Sequence, residues 1–352
     1  MPASTMAELA IIADDLTGAL DAAAPFAARG IATAVALGNG SLPEAIASGA
    51  RIVGVSTDSR EIAPEAAAAA VRRTLRSLSD GTRIFKKVDS RLKGNIAAEL
   101  DVLPHGRSLV VPAIPDFGRV TRAGHIEGFG VGTPIDIASR LGNHALRADI
   151  PDAMTPADIE RALEHQYDLV IGARGLAEAM AQMMAPDAGA RPTPLPGGRA
   201  FCVIGSTDPI TMTQLADLRA SAGEMADLVA PNGVAPTSAG DLRLTLIQAA
   251  QGADELDGKA VAAALAASLR RFSPGKGDLL VLSGGATAQV ILEAIGIDML
   301  ILLGEVQPGL PIAQAGGLTV VTKSGGFGAP DCLSRLLAPY ASARSPVQSH
   351  VG

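Results

Sequence analysis

The chain has 352 residues, a formal net charge of −7, two cysteines, two tyrosines and no tryptophan. That length suits about two domains, and a mildly acidic chain with so few stacking aromatics excludes a long nucleic-acid partner. Cys202 and Cys332 have neither metal-ligand nor close redox spacing and read as reduced thiols, and the five histidines match no zinc signature. No apolar run approaches the ~20 residues that span a bilayer. No basic segment precedes an apolar core at the amino terminus, so the expectation is a cytoplasmic protein with no membrane partner.

Apolar residues 11–13 lead into adjacent carboxylates, Asp14 and Asp15, and an alanine-rich amphipathic segment runs on to about Arg29. This reads as a buried strand, a sharp turn and a helix. Residues 31–37 and 51–56 are the second and third strands, the latter ending in Thr57-Asp58-Ser59-Arg60. Residues 64–78 form a helix with Pro64 in its first turn. The fourth strand, 83–88, runs into Asp89-Ser90-Arg91-Leu92-Lys93-Gly94-Asn95, followed by a helix over 96–102 and a fifth strand over 108–111. Such alternation predicts an α/β fold with a mainly parallel sheet. Residues 112–150, rich in Gly, Pro and Arg, read as a long functional loop. A helix over 156–164 capped by Thr155, a strand over 168–172 and a helix over 176–184 follow.

Residues 186–199 mix prolines and glycines with polar residues and read as a linker, giving domains 1–185 and 200–352. The second domain restarts with a strand over 200–204, the turn Gly205-Ser206-Thr207-Asp208 and a helix through Leu218. Residues 259–271 form a helix. A strand over 278–282 ends in Ser283-Gly284-Gly285-Ala286-Thr287, and a helix continues to Ile295. The strand 318–322 precedes Lys323-Ser324-Gly325-Gly326-Phe327-Gly328, and the tail beyond Pro339 reads as frayed.

Two clusters carry chemistry. In the first half, Asp14 and Asp15 follow a strand end, where α/β sheets bind ligands. The plainer reading makes one of them a helix N-cap and the other a solvated turn residue. Lys86, Lys87, Asp89, Ser90, Arg91, Lys93 and Asn95 form a polar turn suited to a carboxylate and its neighbouring hydroxyls, with Lys87 and Asp89 on one face. Arg119, Arg122 and His125 are further candidates for anion contacts, against a reading as exposed loop charges. Thr17 and Asp21 share a helical face near the same turn. In the second half, three strands end in small glycine-rich turns. Ser206 and Thr207, the run Gly284 to Thr287, and Lys323 with Gly325 and Gly326 suit the phosphates of a nucleotide, although none is a P-loop or a dinucleotide fingerprint.

These residues resemble the four-carbon acid sugar kinases, a family of threonate, erythronate and 3-oxotetronate kinases. Ile12-Ala13-Asp14-Asp15-Leu16-Thr17-Gly18-Ala19, with Asp21, is similar to its amino-terminal signature, and Lys87 to Asn95 to its second motif, with Arg91 and Lys93 where the family more often has Thr and Arg. Pro112-Ala113, Gly118-Arg119 and Gly124-His125 resemble its third. Gly205-Ser206, Gly284-Gly285-Ala286-Thr287, Pro308-Gly309-Leu310-Pro311 and Lys323 to Gly328 resemble its nucleotide motifs in order, with Ala286 where Glu is frequent. The resemblance implies two α/β domains with the active site in the cleft between them, the first binding the acid sugar and the second ATP, with Mg2+ bridging the phosphates.

The expectation is therefore an ATP-dependent kinase acting on the terminal 4-hydroxyl of a four-carbon acid such as D-threonate or D-erythronate. Asp15 is the first candidate and Asp14 the second for orienting or deprotonating that hydroxyl. Lys87, Asp89, Ser90, Arg91, Lys93, Gly94, Asn95 and Arg119 are the substrate-binding candidates. Ser206, Gly284, Gly285, Ala286, Thr287, Gly325 and Gly326 are the nucleotide-binding candidates, and no protein metal ligand is assigned. The partners expected are the sugar acid and ATP, with a homodimer only the default assembly. The alternatives are a non-catalytic two-lobed sugar-acid sensor and a nicotinamide-dependent oxidoreductase of the same acids. The preferred stereoisomer, and whether a 3-oxo acid is the substrate, stay open.

Overall fold

The computed structural model describes residues 6–189, 193–236 and 242–341, so residues 190–192 of the linker and the tail beyond residue 341 lie outside the described residues. The chain divides into two units, one of residues 1–192 with 298–305, the other of residues 193–297 with 306–352.

In the first unit, β1 (Leu9–Ala13) leads into α1 (Leu16–Ala28), β2 (Thr33–Ala36), α2 (Leu42–Ala47), β3 (Ile52–Ser56), α3 (Pro64–Ser77), β4 (Arg83–Lys87), α4 (Ile96–Leu100) and β5 (Ser108–Val111). Then come β6 (Arg119–Arg122), β7 (His125–Gly128), β8 (Ile135–Asp136), α5 (Ile137–Leu141), β9 (Ala148–Asp149), α6 (Pro156–Ala162), β10 (Leu169–Gly172) and α7 (Arg174–Met184). The second unit runs through β11 (Ala200–Ile204), α8 (Pro209–Ser221), β12 (Ala226–Pro231), β13 (Leu244–Ala250), α9 (Gly258–Arg270), β14 (Leu279–Ser283) and α10 (Gly285–Ala294). β15 (Met299–Gln307), whose residues 299–305 count with the first unit, precedes β16 (Leu310–Ala315), β17 (Leu318–Lys323) and α11 (Cys332–Leu337).

The first unit's sheet has the order β15-β2-β3-β1-β4-β10-β5-β9, parallel throughout except where β15 runs antiparallel to β2. β2 and β3 lie to one side of β1, and β4, β10, β5 and β9 to the other, so the turn after β1 is the switch point of the winding. Every residue of β1 is buried, as strands covered on both faces require. α1 packs on the sheet through alanines 19, 22, 23 and 24, all fully buried, whose small side chains admit close backbone approach. The second unit repeats the plan in the order β12-β13-β11-β14-β17-β16, with only β16 antiparallel to its neighbour β17. The α/β class with mainly parallel sheets holds in both.

Residues 112–150 differ from expectation. They are not a structureless loop but carry the antiparallel sheet β6-β7-β8 and α5. The β6–β7 hairpin turns at Ala123 and Gly124, both with positive φ. A Cβ on Gly128, itself at φ +95°, would fall 2.0 Å from the Gly118 carbonyl oxygen, so that close crossing demands glycine. Strands of four residues or fewer, interrupted by glycine and arginine, leave no readable alternation. No helix among the described residues is long and apolar enough to cross a membrane.

Candidate active site

Parallel register sets the first unit's centre. Ala13 at the end of β1 lies opposite Ser56 of β3 and Lys87 of β4, so the three following turns emerge side by side. Asp15 is the N-cap of α1 and accepts from Gly18 N at 2.7 Å. The plainer reading of the sequence is thus right for Asp15, but Asp14 is buried rather than solvated. From the turn after β3, Arg60 reaches both: Nε and Nη2 donate to the two Asp14 oxygens at 2.8 Å each, and Nη1 to Asp15 Oδ2 at 2.7 Å. Thr17 Oγ1 donates to the same Asp15 oxygen at 3.1 Å.

This arrangement separates two chemically identical groups. Burial works to raise the Asp14 pKa, but its hydrogen bonds to Arg60 and the charges of Arg60, Lys86 and Lys87 outweigh it and hold the carboxyl below its ordinary range. For Asp15 burial dominates, the Asp14 charge adds to it, and the pKa rises despite Arg60 and Lys87. Of the pair, Asp15 is the better proton acceptor and Asp14 the fixed anion.

The turn after β4 divides its charges. Lys86 is fully buried and pairs with Glu99 of α4 at 2.9 Å, so it belongs to the core and not to the carboxylate-binding polar turn expected of it. Lys87 donates to the Val88 carbonyl at 2.8 Å and sits close to the start of α1, where a Cβ on Gly18 would stand 3.4 Å from its Nζ. Asp89 accepts from Arg91 N at 2.9 Å. Ser90 Oγ accepts from Arg119 Nη1 at 2.5 Å, while Arg119 Nε and Nη2 donate to the Phe129 carbonyl. Arg91 is half-buried and Lys93 exposed, and neither makes an ion pair among the described residues. Asn95 Nδ2 donates to the carbonyls of Ser59 and Ile62 at 2.9 and 2.8 Å. His125 Nδ1 is bonded to the Ala123 carbonyl, and Arg122 is exposed. Asp21 is not brought to the pair. It meets Arg174, which also binds Glu178 and Glu305.

In the second unit Ile204, Ser283 and Lys323 lie in register, which places the three glycine turns side by side. A Cβ on Gly205 would fall 2.1 Å from Thr287 Oγ1, and one on Gly325 2.5 Å from Ser206 Oγ, so glycine permits the turns to interlock. Gly284, at φ +105°, caps α10. A cavity of about 740 Å³ is lined by Gly205, Ser206 and Thr207, by Gly284 through Thr287, and on its far wall by Asn232 and residues 249–256. Gly325 and Gly326 stand beside Ser206 and Asp208 and outside that lining. The far wall had no sequence signal. Asn232, at φ +50°, fixes it by bonding Gly252 N and the Asp254 carbonyl.

Lys323 does not present a cation to this cavity. It is fully buried and donates to Thr211 Oγ1 and to the carbonyls of Ser324, Gly325 and Phe327 at 3.0–3.1 Å, shaping the turn from within. Burial lowers its pKa from 10.5 to about 8. The unfolded chain therefore binds the extra proton between those values, and stability rises with pH across that window. Relative to a Lys323→Met variant, the wild type should gain about 3 kcal/mol between pH 8 and 10.5 in denaturant melts. A flat difference would mean that Lys323 titrates normally.

Residues 9–237 match the family model of a sugar-binding N-terminal domain, and residues 226–333 that of a nucleotide-binding C-terminal domain. The protein is 32% identical to the D-threonate kinase of Cupriavidus necator over 96% of this chain and 99% of that one. It is 28% identical to the 3-oxo-tetronate kinase of Methylobacterium radiotolerans over 94% and 98%. A solved structure of a Salmonella typhimurium LT2 protein shares the fold, with a TM-score of 0.72 at 20% identity over 96% of this chain and 100% of that one. The chain belongs to the four-carbon acid sugar kinase family.

Proposed function

We propose that the protein transfers the γ-phosphoryl group of ATP to the terminal hydroxyl of a four-carbon sugar acid such as D-threonate or D-erythronate. The observation that carries this reading is the Asp14–Arg60–Asp15 centre, one carboxyl held as a fixed anion and the other raised toward proton-accepting range. It lies within the segment that matches a sugar-binding domain. Asp15 accepts the proton of the acceptor hydroxyl as its oxygen bonds to the γ-phosphorus and ADP leaves. Arg91 and Lys93 meet the substrate carboxylate, Arg as a two-pronged donor. Lys87, Asp89, Ser90, Gly94, Asn95 and Arg119 shape that turn.

ATP occupies the 740 Å³ cavity, with its phosphates against Ser206, Gly284 through Thr287, and the turn at Gly325 and Gly326. The fit rests on the interlocked glycines and the N-terminus of α10. Among the described residues no group of three His, Cys, Asp or Glu side chains is arranged to hold a metal. Mg2+ bound with ATP would neutralise the charge of its phosphates. Phosphorus-31 and proton NMR of the product checks the regiochemistry. A primary phosphate ester at the terminal carbon is the expected product, and phosphate on an inner hydroxyl or on the carboxylate would refute it.

A further inference from the structure

Arg60 stands in the turn after β3, and its guanidinium divides its donors between two acids. Two nitrogens bind both oxygens of Asp14 and the third binds Asp15 Oδ2. A planar guanidinium delivers such a fork-shaped set of N–H groups, and an ammonium does not. The turn carrying Arg60 is fixed on every side. Ser59 N donates to the Asp14 carbonyl at 2.9 Å. Thr57 Oγ1 bonds the Ala13 carbonyl at 2.9 Å and Ser59 Oγ at 2.7 Å, and Ser59 Oγ also donates to the buried Glu99 carboxylate. Asn95 Nδ2 takes the carbonyls of Ser59 and Ile62, one on each side of Arg60. Gly94, at φ +92°, leaves the space the clamp needs, because a Cβ there would fall 2.8 Å from Asp14 Oδ2 and 3.7 Å from Arg60 Cγ. Much of the turn after β4 is thus built around Arg60.

We infer that Arg60 is the positioning residue of this centre: it clamps Asp14 as a fixed anion and sets the Asp15 carboxyl for proton transfer from the acceptor hydroxyl. The inference rests on the kinase reading above. Without the guanidinium, two carboxylates stand side by side and share a proton.

The test uses Arg60→Lys, which keeps the charge and loses the fork, and Arg60→Ala, which loses both. Both should lower kcat by about 100-fold or more while the KM for ATP moves less than about twofold. The acidic limb of kcat/KM for the sugar acid should move to higher pH in Arg60→Ala, and added guanidinium ion should restore part of its kcat. An unchanged kcat and limb in Arg60→Ala would overturn the inference. Should Arg60→Ala fail to fold, carboxyl-carbon NMR of Arg60→Lys reads the Asp14 and Asp15 titrations without turnover. Titrations identical to wild type overturn the inference, and altered ones support it. A wild type inactive on every four-carbon acid strikes instead at the kinase reading, and the NMR comparison still decides the role of Arg60.

Discussion

Asp15→Asn should lower kcat by about 100- to 10,000-fold, the range expected on removing a general base, and leave ATP binding near wild type. The substitution keeps the shape of the side chain. Its carbonyl oxygen can still accept from Gly18 N, so the cap of α1 survives, as Asn and Asp cap equally well. What it loses is the proton-accepting charge. Asp14 does not replace it, because both of its oxygens are held by Arg60 and its pKa is lowered. Steady-state kinetics with ATP titration separates the effects, and a near-normal kcat would remove Asp15 from the chemistry.

Glu99→Gln should destabilise the protein by about 3–5 kcal/mol, the cost of stranding a buried charge, and lower Tm by on the order of 10 °C. Lys86 and Glu99 are 0% and 1% exposed and pair at 2.9 Å. Among the described residues Lys86 otherwise has only the carbonyls of Ile12 and Lys87, at 3.4 and 3.2 Å. The double variant Lys86→Met with Glu99→Leu should recover most of the loss, since apolar residues of similar volume substitute for a buried pair with little or no penalty. Calorimetry of the single and double variants checks both. If Glu99→Gln melts like wild type, the pair is not holding the floor of the Arg60 turn.

Asp15, Arg60 and Lys86 differ in how far the sequence alone places them. The place of Asp15 at the cap of α1 was legible because an apolar strand, a polar residue and an alanine-rich helix follow one another in the chain. Arg60 was not, because its meeting with Asp14 and Asp15 depends on β3 lying beside β1, a register that local pattern does not encode. The burial of Lys86 is hidden for the same reason: its partner Glu99 sits on α4, and a charge beside Lys87 in the chain looks like part of one cluster. The glycine turns of the second unit were legible because each directly follows an apolar strand. The far wall of the cavity, Asn232 and residues 249–256, follows β12 and β13, which had no place in the sequence reading. β12 alternates buried and exposed residues over only six positions, too short a run to stand out beside the buried strands.

The most direct measurement is ADP formation by the purified protein with ATP and Mg2+ against D- and L-threonate, D- and L-erythronate and the corresponding 3-oxo acids. The expected result is saturable ADP release with one or a few of these acids and none without an acid. ADP release indifferent to the acid supplied, or none with any of them, would contradict the assignment of a four-carbon sugar acid as the phosphoryl acceptor.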